Sequence, residues 1–331
     1  MGHRANLIIV RNHSYELYYS HWCANTLPKN IFWGEQYAIK FIEMQTKVDE
    51  SGWLNDAWAE GGAILDADKK KVMFYGGEDI RYNIPLRDLY VKLMGYIWEG
   101  WEIKWAYEGI VDLAAYVGYP KEKVLTGRKN DCAHTSLAPP EEKDWVDTVA
   151  SVKFSPNEML LFPLWGGIDN YLPYGPDLVN RIDKAYGYPR ISLSEWSHDF
   201  PIGGFHIDME RRRLEFWHAN VIPNIFQQLQ EKWSDWEVVN HYGDYESQCR
   251  CTDGLLQFQD MSHHHLLETL KTQLLKESSN PVDSLALFVQ KEAEAGKKVE
   301  VNPYALKHDT YELSRNVKEQ ILDEAMEKLQ F

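Results

Sequence analysis

The chain has 331 residues, of which 44% are apolar and 26% charged, the proportions of an ordinary globular protein. They exclude a wholly disordered chain, a collagen and a coiled-coil rod. The 35 basic against 50 acidic residues leave a formal charge of −15, and a field of that sign repels phosphate backbones and disfavours DNA or RNA as a partner. Along the chain, Asn6 to Val10 and Tyr15 to Tyr19 are β-prone runs joined by the polar turn Arg11 to Ser14, which predicts a hairpin. A helix over Gly34 to Val48 follows from Tyr37, Phe41 and Met44 falling on one face. A second hairpin pairs Ala63–Leu65 with Val72–Tyr75 across a charged tip. It is followed by a helix (Leu86 to Ile97) and a closing strand (Glu102 to Tyr107).

The segment Pro120 to Asp144, with Gly127, Pro139, Pro140 and a charged run, reads as a surface connection in which little is buried. Beyond it the same series is predicted again. Strands at Val152–Phe154 and Met159–Leu164 precede a helix from Pro176 to Ala185. A hairpin around Phe205–Trp217, a helix over Ile225–Lys232 and a strand over Glu237–Tyr242 complete it. The tail is helical. Leu266, Leu267, Leu270, Leu274 and Leu275 make one amphipathic stripe, Asp283 is placed to cap a second helix, and Ser314 to Leu329 forms a third. These helices are expected to pack on the second copy or across both.

The recurrence extends to residues. GGAILDADKKKVMFY (Gly61 to Tyr75) aligns without a gap with GGFHIDMERRRLEFW (Gly203 to Trp217). Trp53-x-x-Asp56 faces Trp196-x-x-Asp199, and Trp98-x-x-Trp101-Glu102 faces Trp233-x-x-Trp236-Glu237, in the same order. A period of about 140 residues is too long for a solenoid unit. The expected fold is therefore α+β, a tandem duplication of a ββαββαβ unit with helices on an antiparallel sheet, plus a C-terminal helical extension. The expected organisation is a first repeat over 1–118, a linker over 119–147, a second repeat over 148–257 and the extension over 258–331.

The chain carries no nucleotide-binding, hydrolase-elbow or metalloprotease signature. Four cysteines (Cys23, Cys132, Cys249, Cys251) do not make a disulfide framework, and Cys249-x-Cys251 lacks a second ligand pair. No metal and no cofactor is expected. In the His263–His265 tract, His264 and Glu268 are an i, i+4 pair that would need ligands from elsewhere. The apolar run Leu7 to Val10 is too short for a signal segment or a membrane span, so a cytoplasmic protein without a membrane partner is expected.

Residues that differ between the copies are the better candidates for chemistry, because shared ones are explained first by folding. His21 stands where the second copy has Leu164, His206 replaces Ile64, His218 replaces Gly76, and Glu108 faces Gly243. His21 with Glu108 or Asp112 would make a base and its orienting carboxylate, and Asp56 with Asp199 a symmetric carboxylate pair. Arg4, His206 and His218 are candidate binding residues. Two function classes follow. The first is an acidic, tryptophan-rich binding protein, such as an inhibitor or toxin-neutralising (immunity-type) protein, that captures a basic macromolecular partner. With 13 Trp and 19 Tyr the chain is rich in the residue types that dominate interface hot spots. The second is a hydrolase or group transferase with a His/carboxylate site in the cleft between the repeats. A third use, as a scaffold through the helical tail, is also open.

Overall fold

A computed structural model describes residues 2–127, 136–142, 145–196 and 199–329. They form two compact units, one from residues 1–80, 86–126 and 264–331, the other from 81–85 and 127–263. The fold is mixed α and β, with a multi-stranded sheet in each unit.

The first unit holds a six-stranded sheet. Its strands are β1 (Ala5–Arg11), β2 (Ser14–Ser20), β3 (Thr46–Val48), β4 (Gly61–Asp66), β5 (Lys71–Tyr75) and β6 (Glu102–Trp105), in the order β3-β2-β1-β4-β5-β6. The hairpins β1/β2 and β4/β5 are antiparallel as predicted, but β1/β4 and β5/β6 are parallel, so the sheet is mixed and not antiparallel. Parallel neighbours need a crossover. The helices supply it: α1 (Leu27–Ile31) and α2 (Glu35–Glu43) lie between β2 and β4, and α3 (Glu78–Arg81) and α4 (Ile84–Ile97) between β5 and β6. Helix α2 stops short of its predicted end because Thr46-Lys47-Val48 pairs with Tyr19 to Leu17 as β3. At the β4/β5 tip, Asp66 Oδ1 accepts from Lys69 N at 2.9 Å, and Lys70 takes φ +49°.

Both faces of this sheet are covered. The run Ala5 to Ile9 is therefore buried throughout instead of alternating. Tyr90, Leu93, Met94 and Trp98 are buried along α4, with Trp98 Nε1 donating to Ile31 O at 3.1 Å. A short helix that the periodicity does not predict, α5 (Ile110–Tyr116), packs on β4.

The tail helices α8 (His263–Leu275), α9 (Pro281–Glu294) and α10 (Arg315–Glu327) follow the elements of the second unit. From His264 onward the tail belongs to the first unit, whereas the expectation was packing on the second copy or across both. Polar and aromatic contacts fix it there. Trp22 Nε1 donates to Ala305 O at 2.9 Å, Gln45 Nε2 to Asp309 O at 2.8 Å, and Tyr37 stacks on Tyr311 at 6.2 Å. Asn280, not Asp283, caps α9: its Oδ1 accepts from Val282 N at 3.1 Å, with Pro281 in the first turn.

The second unit holds β7 (Thr148–Ser155), β8 (Glu158–Leu164), β10 (Gly203–Asp208), β11 (Arg213–His218) and β12 (Glu237–Asn240), in the order β12-β11-β10-β7-β8. Here too β7/β8 and β10/β11 are antiparallel while β7/β10 and β11/β12 are parallel. A two-stranded ribbon joins β9 (Ile191–Ser192) to β13 (Leu256–Gln257). Helix α6 (Ile225–Lys232) covers the Phe205/Ile207 face, and α7 (Glu246–Cys251) packs against β10. The helix predicted over Pro176–Ala185 is instead 3-10 helix over Pro176–Arg181 and Lys184–Tyr186. Within the connection, Leu137 is buried in the second unit's core, so that segment is anchored by an apolar side chain and is not merely a surface link. Among the described residues no helix is long and apolar enough to cross a membrane.

Candidate functional site

In the first unit, the residues entering and leaving β1 to β4 shape an open recess of about 680 Å³. Its wall includes Arg4, Tyr19, Lys47, Trp53, Trp58 and Tyr304. Asn6, buried within β1, builds the far side. Its Oδ1 accepts from Leu54 N at 2.7 Å and its Nδ2 donates to Gly52 O at 3.0 Å, which holds Trp53 between two anchored neighbours. One face of Trp53 lies on Tyr119, with ring centres 4.9 Å apart. Arg4 lies over the Trp58 ring at 4.6 Å. Burial raises the Tyr19 hydroxyl's pKa, while the Arg4 cation hydrogen-bonded to it works in the opposite sense. The same hydroxyl is 2.9 Å from His21 Nδ1, and Tyr304 meets the Tyr19 ring edge-on at 5.1 Å. The tail thus completes the recess, with Asn302 Oδ1 capping Tyr304 N at 3.0 Å.

In the second unit a polar row crosses the sheet beneath α7. Ser151, His206 and Glu215 are neighbours in register on β7, β10 and β11. The first sheet carries Ile8, Ile64 and Met73 in the same row. Ser151 Oγ is 2.9 Å from His206 Nδ1 and also receives Gln248 Nε2 at 3.1 Å. Gln248 donates further to Phe205 O at 2.8 Å and Val149 O at 3.0 Å, and accepts from Trp217 Nε1 at 2.8 Å. Gly204 makes this approach possible, since a Cβ there would lie 2.2 Å from Gln248 Oε1. At the end of the row Glu215 meets His241 Nε2 at 2.6 Å and Arg213 Nε at 2.8 Å. The His241 hydrogen bond, reinforced by the charge of Arg213, pulls the Glu215 carboxyl down to about 2. Burial, with the Glu215 carboxylate adding to it, pushes the Cys251 thiol up to about 11. It is therefore a protonated thiol and no nucleophile. A Ser-His-Glu row has the residue types of an acyl-transfer site, but Ser151 is fully buried and its hydroxyl is engaged by Gln248 and His206. The row works as a clamp that seats α7 on the sheet.

Burial lowers the pKa of His206 more than Glu215 and Asp208 raise it, so the fold favours the neutral ring. The sign follows by linkage: below the ordinary value of 6.5 the unfolded chain takes up a proton that the folded chain resists. Stability is expected to decline as pH falls below that value. Glu215 adds a second loss as pH falls from its ordinary 4.5 towards about 2, worth roughly 3 kcal/mol at most. Urea midpoints measured against pH test this. His206→Gln should flatten the first decline and leave the second, and identical profiles for the two proteins would exclude the assignment.

The remaining candidates fall in several places. Asp112 caps its own helix, accepting from Glu108 N at 2.8 Å, and burial raises its pKa. His21 is buried against Trp22 and Tyr19. Asp56 closes a loop, its Oδ1 accepting from Thr126 N at 2.9 Å. Asp199, in the second unit, accepts from Gln259 Nε2 at 2.9 Å through its backbone carbonyl. His218 is buried, with Nδ1 2.7 Å from Asn220 O. In strand register Leu164 holds the place of Ser20, not of His21, because a bulge at Lys153/Ser155 adds one residue to the second hairpin. Arg4 and His21 both reach Tyr19. Glu108 and Asp112 form a second pair, and His206 belongs to the other unit. The periodicity does not single out Ser151, Glu215, His241 or Gln248. The signal for Ser151 and Glu215 is the strand register, in which three in-line positions, with His206 between them, change from apolar to polar between the two segments.

Among the described residues no group of three or more His, Cys, Asp or Glu is placed to hold a metal ion. His263, His264 and His265 are exposed, and Cys23, Cys249 and Cys251 are free thiols, while Cys132 lies outside the described residues. Comparisons with family models, curated proteins and solved structures gave no match.

Proposed function

We propose that the protein works by capturing a basic macromolecular partner, in the manner of an inhibitor or a toxin-neutralising protein. The observation that carries this is the exposure of two tryptophans of the second unit, Trp145 at 52% and Trp165 at 52%, on a chain of net charge −15. Exposed indoles are the side chains that most often anchor interfaces, and a negative field speeds encounter with a cationic partner. The enzyme alternative draws less from the geometry, because the row nearest to a nucleophilic set is buried and engaged. Free thiols at Cys23, Cys249 and Cys251 fit a reducing compartment such as the cytoplasm. The test is capture from a native lysate on the immobilised chain, followed by mass spectrometry. A stoichiometric partner with a basic isoelectric point is expected, released by about 0.5 M salt. Its binding should weaken about tenfold or more on Trp165→Ala. Absence of such a partner, or retention indifferent to salt, would overturn the reading.

We further infer that the two sheets descend from one duplicated unit. Support comes from details that a shared fold class does not require. Strand order and pairing sense agree from β2-β1-β4-β5-β6 to β8-β7-β10-β11-β12. Asp66 and Asp208 cap Lys69 N and Arg211 N at 2.9 and 3.0 Å, ahead of Lys70 and Arg212 at φ +49° and +50°. Trp98/Trp101 and Trp233/Trp236 are both edge-on pairs at 5.0 Å, and the buried indoles donate to Ile31 O and Leu172 O.

A further inference from the structure

The recess of the first unit is cationic in a strongly acidic chain. Two of its three charged groups already have partners: Lys47 pairs with Glu16, and Asp49 accepts from both Ser51 N and Ser51 Oγ. Arg4 is different. Among the described residues no carboxylate pairs with its guanidinium, which is half-buried, lies over Trp58 and is hydrogen-bonded to Tyr19. Glu60, whose backbone N donates to Arg4 O, has its carboxylate 3.3 Å from His3 Nδ1. A planar guanidinium offers a fork of N–H groups matched to an oxyanion, and stacking on an indole holds that fork in one orientation. Aromatic surface surrounds it: Tyr304 is nearly half exposed beside Tyr19, and Trp53 lines the opposite side. The buried Nε1 of Trp53 has no acceptor among the described residues, an unmet donor within the same wall.

We propose that this recess binds a small planar ring bearing one oxyanion, as an aromatic carboxylate and a nucleoside monophosphate both do. The oxyanion sits on Arg4, and the ring lies against the tyrosine and tryptophan surface. A recess of about 680 Å³ lies within the size range of small-molecule sites. The unpaired Arg4 cation would repel a basic side chain, so this site is separate from the surface that meets a basic partner, and either reading stands if the other fails.

Isothermal titration of the full chain with indole-3-acetate and AMP, beside the uncharged indole and adenosine, tests the proposal. At least one anion is expected to bind with Kd below about 0.1 mM, and its neutral counterpart at least tenfold more weakly. Binding of indole-3-acetate alone assigns a carboxylate ligand, and of AMP alone a phosphate ligand. Arg4→Gln and Trp58→Ala should each raise Kd about tenfold or more, with Arg4→Lys between them and the parent. Lys298→Gln, on an exposed residue elsewhere, should change nothing. Arg4 and Trp58 both reach solvent, so the variants keep the fold, which circular dichroism checks. Three results would overturn the site: no heat from either anion at about 1 mM, equal binding of charged and neutral probes, or parental affinity in Arg4→Gln.

Discussion

Gln248→Leu is expected to cost the second unit about 3–5 kcal/mol, the largest loss from any single polar side chain in that unit. Gln248 is buried and serves four partners: Val149 O, Phe205 O, Ser151 Oγ and Trp217 Nε1. Leucine of similar volume fills the space but leaves those groups facing an apolar side chain. Each buried polar atom without a partner costs about 1–3 kcal/mol, and neighbours in one network do not simply add. The effect should be local. Hydrogen exchange read by mass spectrometry should show lost protection in β7 and β10, with β1 and β4 unchanged. Gln248→Glu should behave similarly, because it keeps an acceptor for Trp217 but removes the Nε2 donor. A loss below about 1 kcal/mol would mean that the surrounding groups re-pair without the amide.

Gly76→Ala is expected to destabilise the first unit by about 3–5 kcal/mol, from two additive causes. Gly76 sits at φ +122°, a backbone conformation closed to residues with a Cβ. A Cβ there would also stand 2.8 Å from Ala24 O and 3.2 Å from Gly61 Cα, and backbone cannot swing aside as a side chain can. Gly95→Ala is the matched control. It lies within α4, where an added methyl would meet nothing within 4 Å, so it should be neutral or stabilise by up to about 1 kcal/mol. Urea midpoints distinguish them, and equal midpoints would mean that the β5 end relaxes around the methyl. The corresponding place in the other unit is held by His218, buried at the end of β11.

Local pattern made much of the architecture legible. β-prone runs flanking polar or charged turns placed both β-hairpins of each segment, and the 3.6-residue stripes placed α2, α8 and α10, because those signals lie within a few neighbouring residues. Short helices were another matter. Helices α5 and α7 have 7 and 6 residues, too few for a periodic stripe, yet they cover the second face of each sheet. The strand pairs β1/β4 and β7/β10 were not legible as parallel, since pairing sense is set by where the crossover helices lie and not by either strand's composition. The candidate sites divide in the same way. His206 and Arg4 stand out as residues, but their meaning comes from partners far along the chain. Ser151 precedes His206 by 55 positions, and Gln248 follows Ser151 by 97.

Local grammar is written in the order of the residues: which segments are strand, which are helix, and where the turns fall. Hydrophobic period and turn chemistry are properties of adjacent residues, so they survive without coordinates. Packing between distant segments set the rest: the sense of strand pairing, the association of the tail with the first unit, and the meeting of Trp53, Trp58 and Arg4 with Tyr304. Those depend on which remote surfaces bury one another, and burial is a free energy of the folded whole that no short stretch of chain contains.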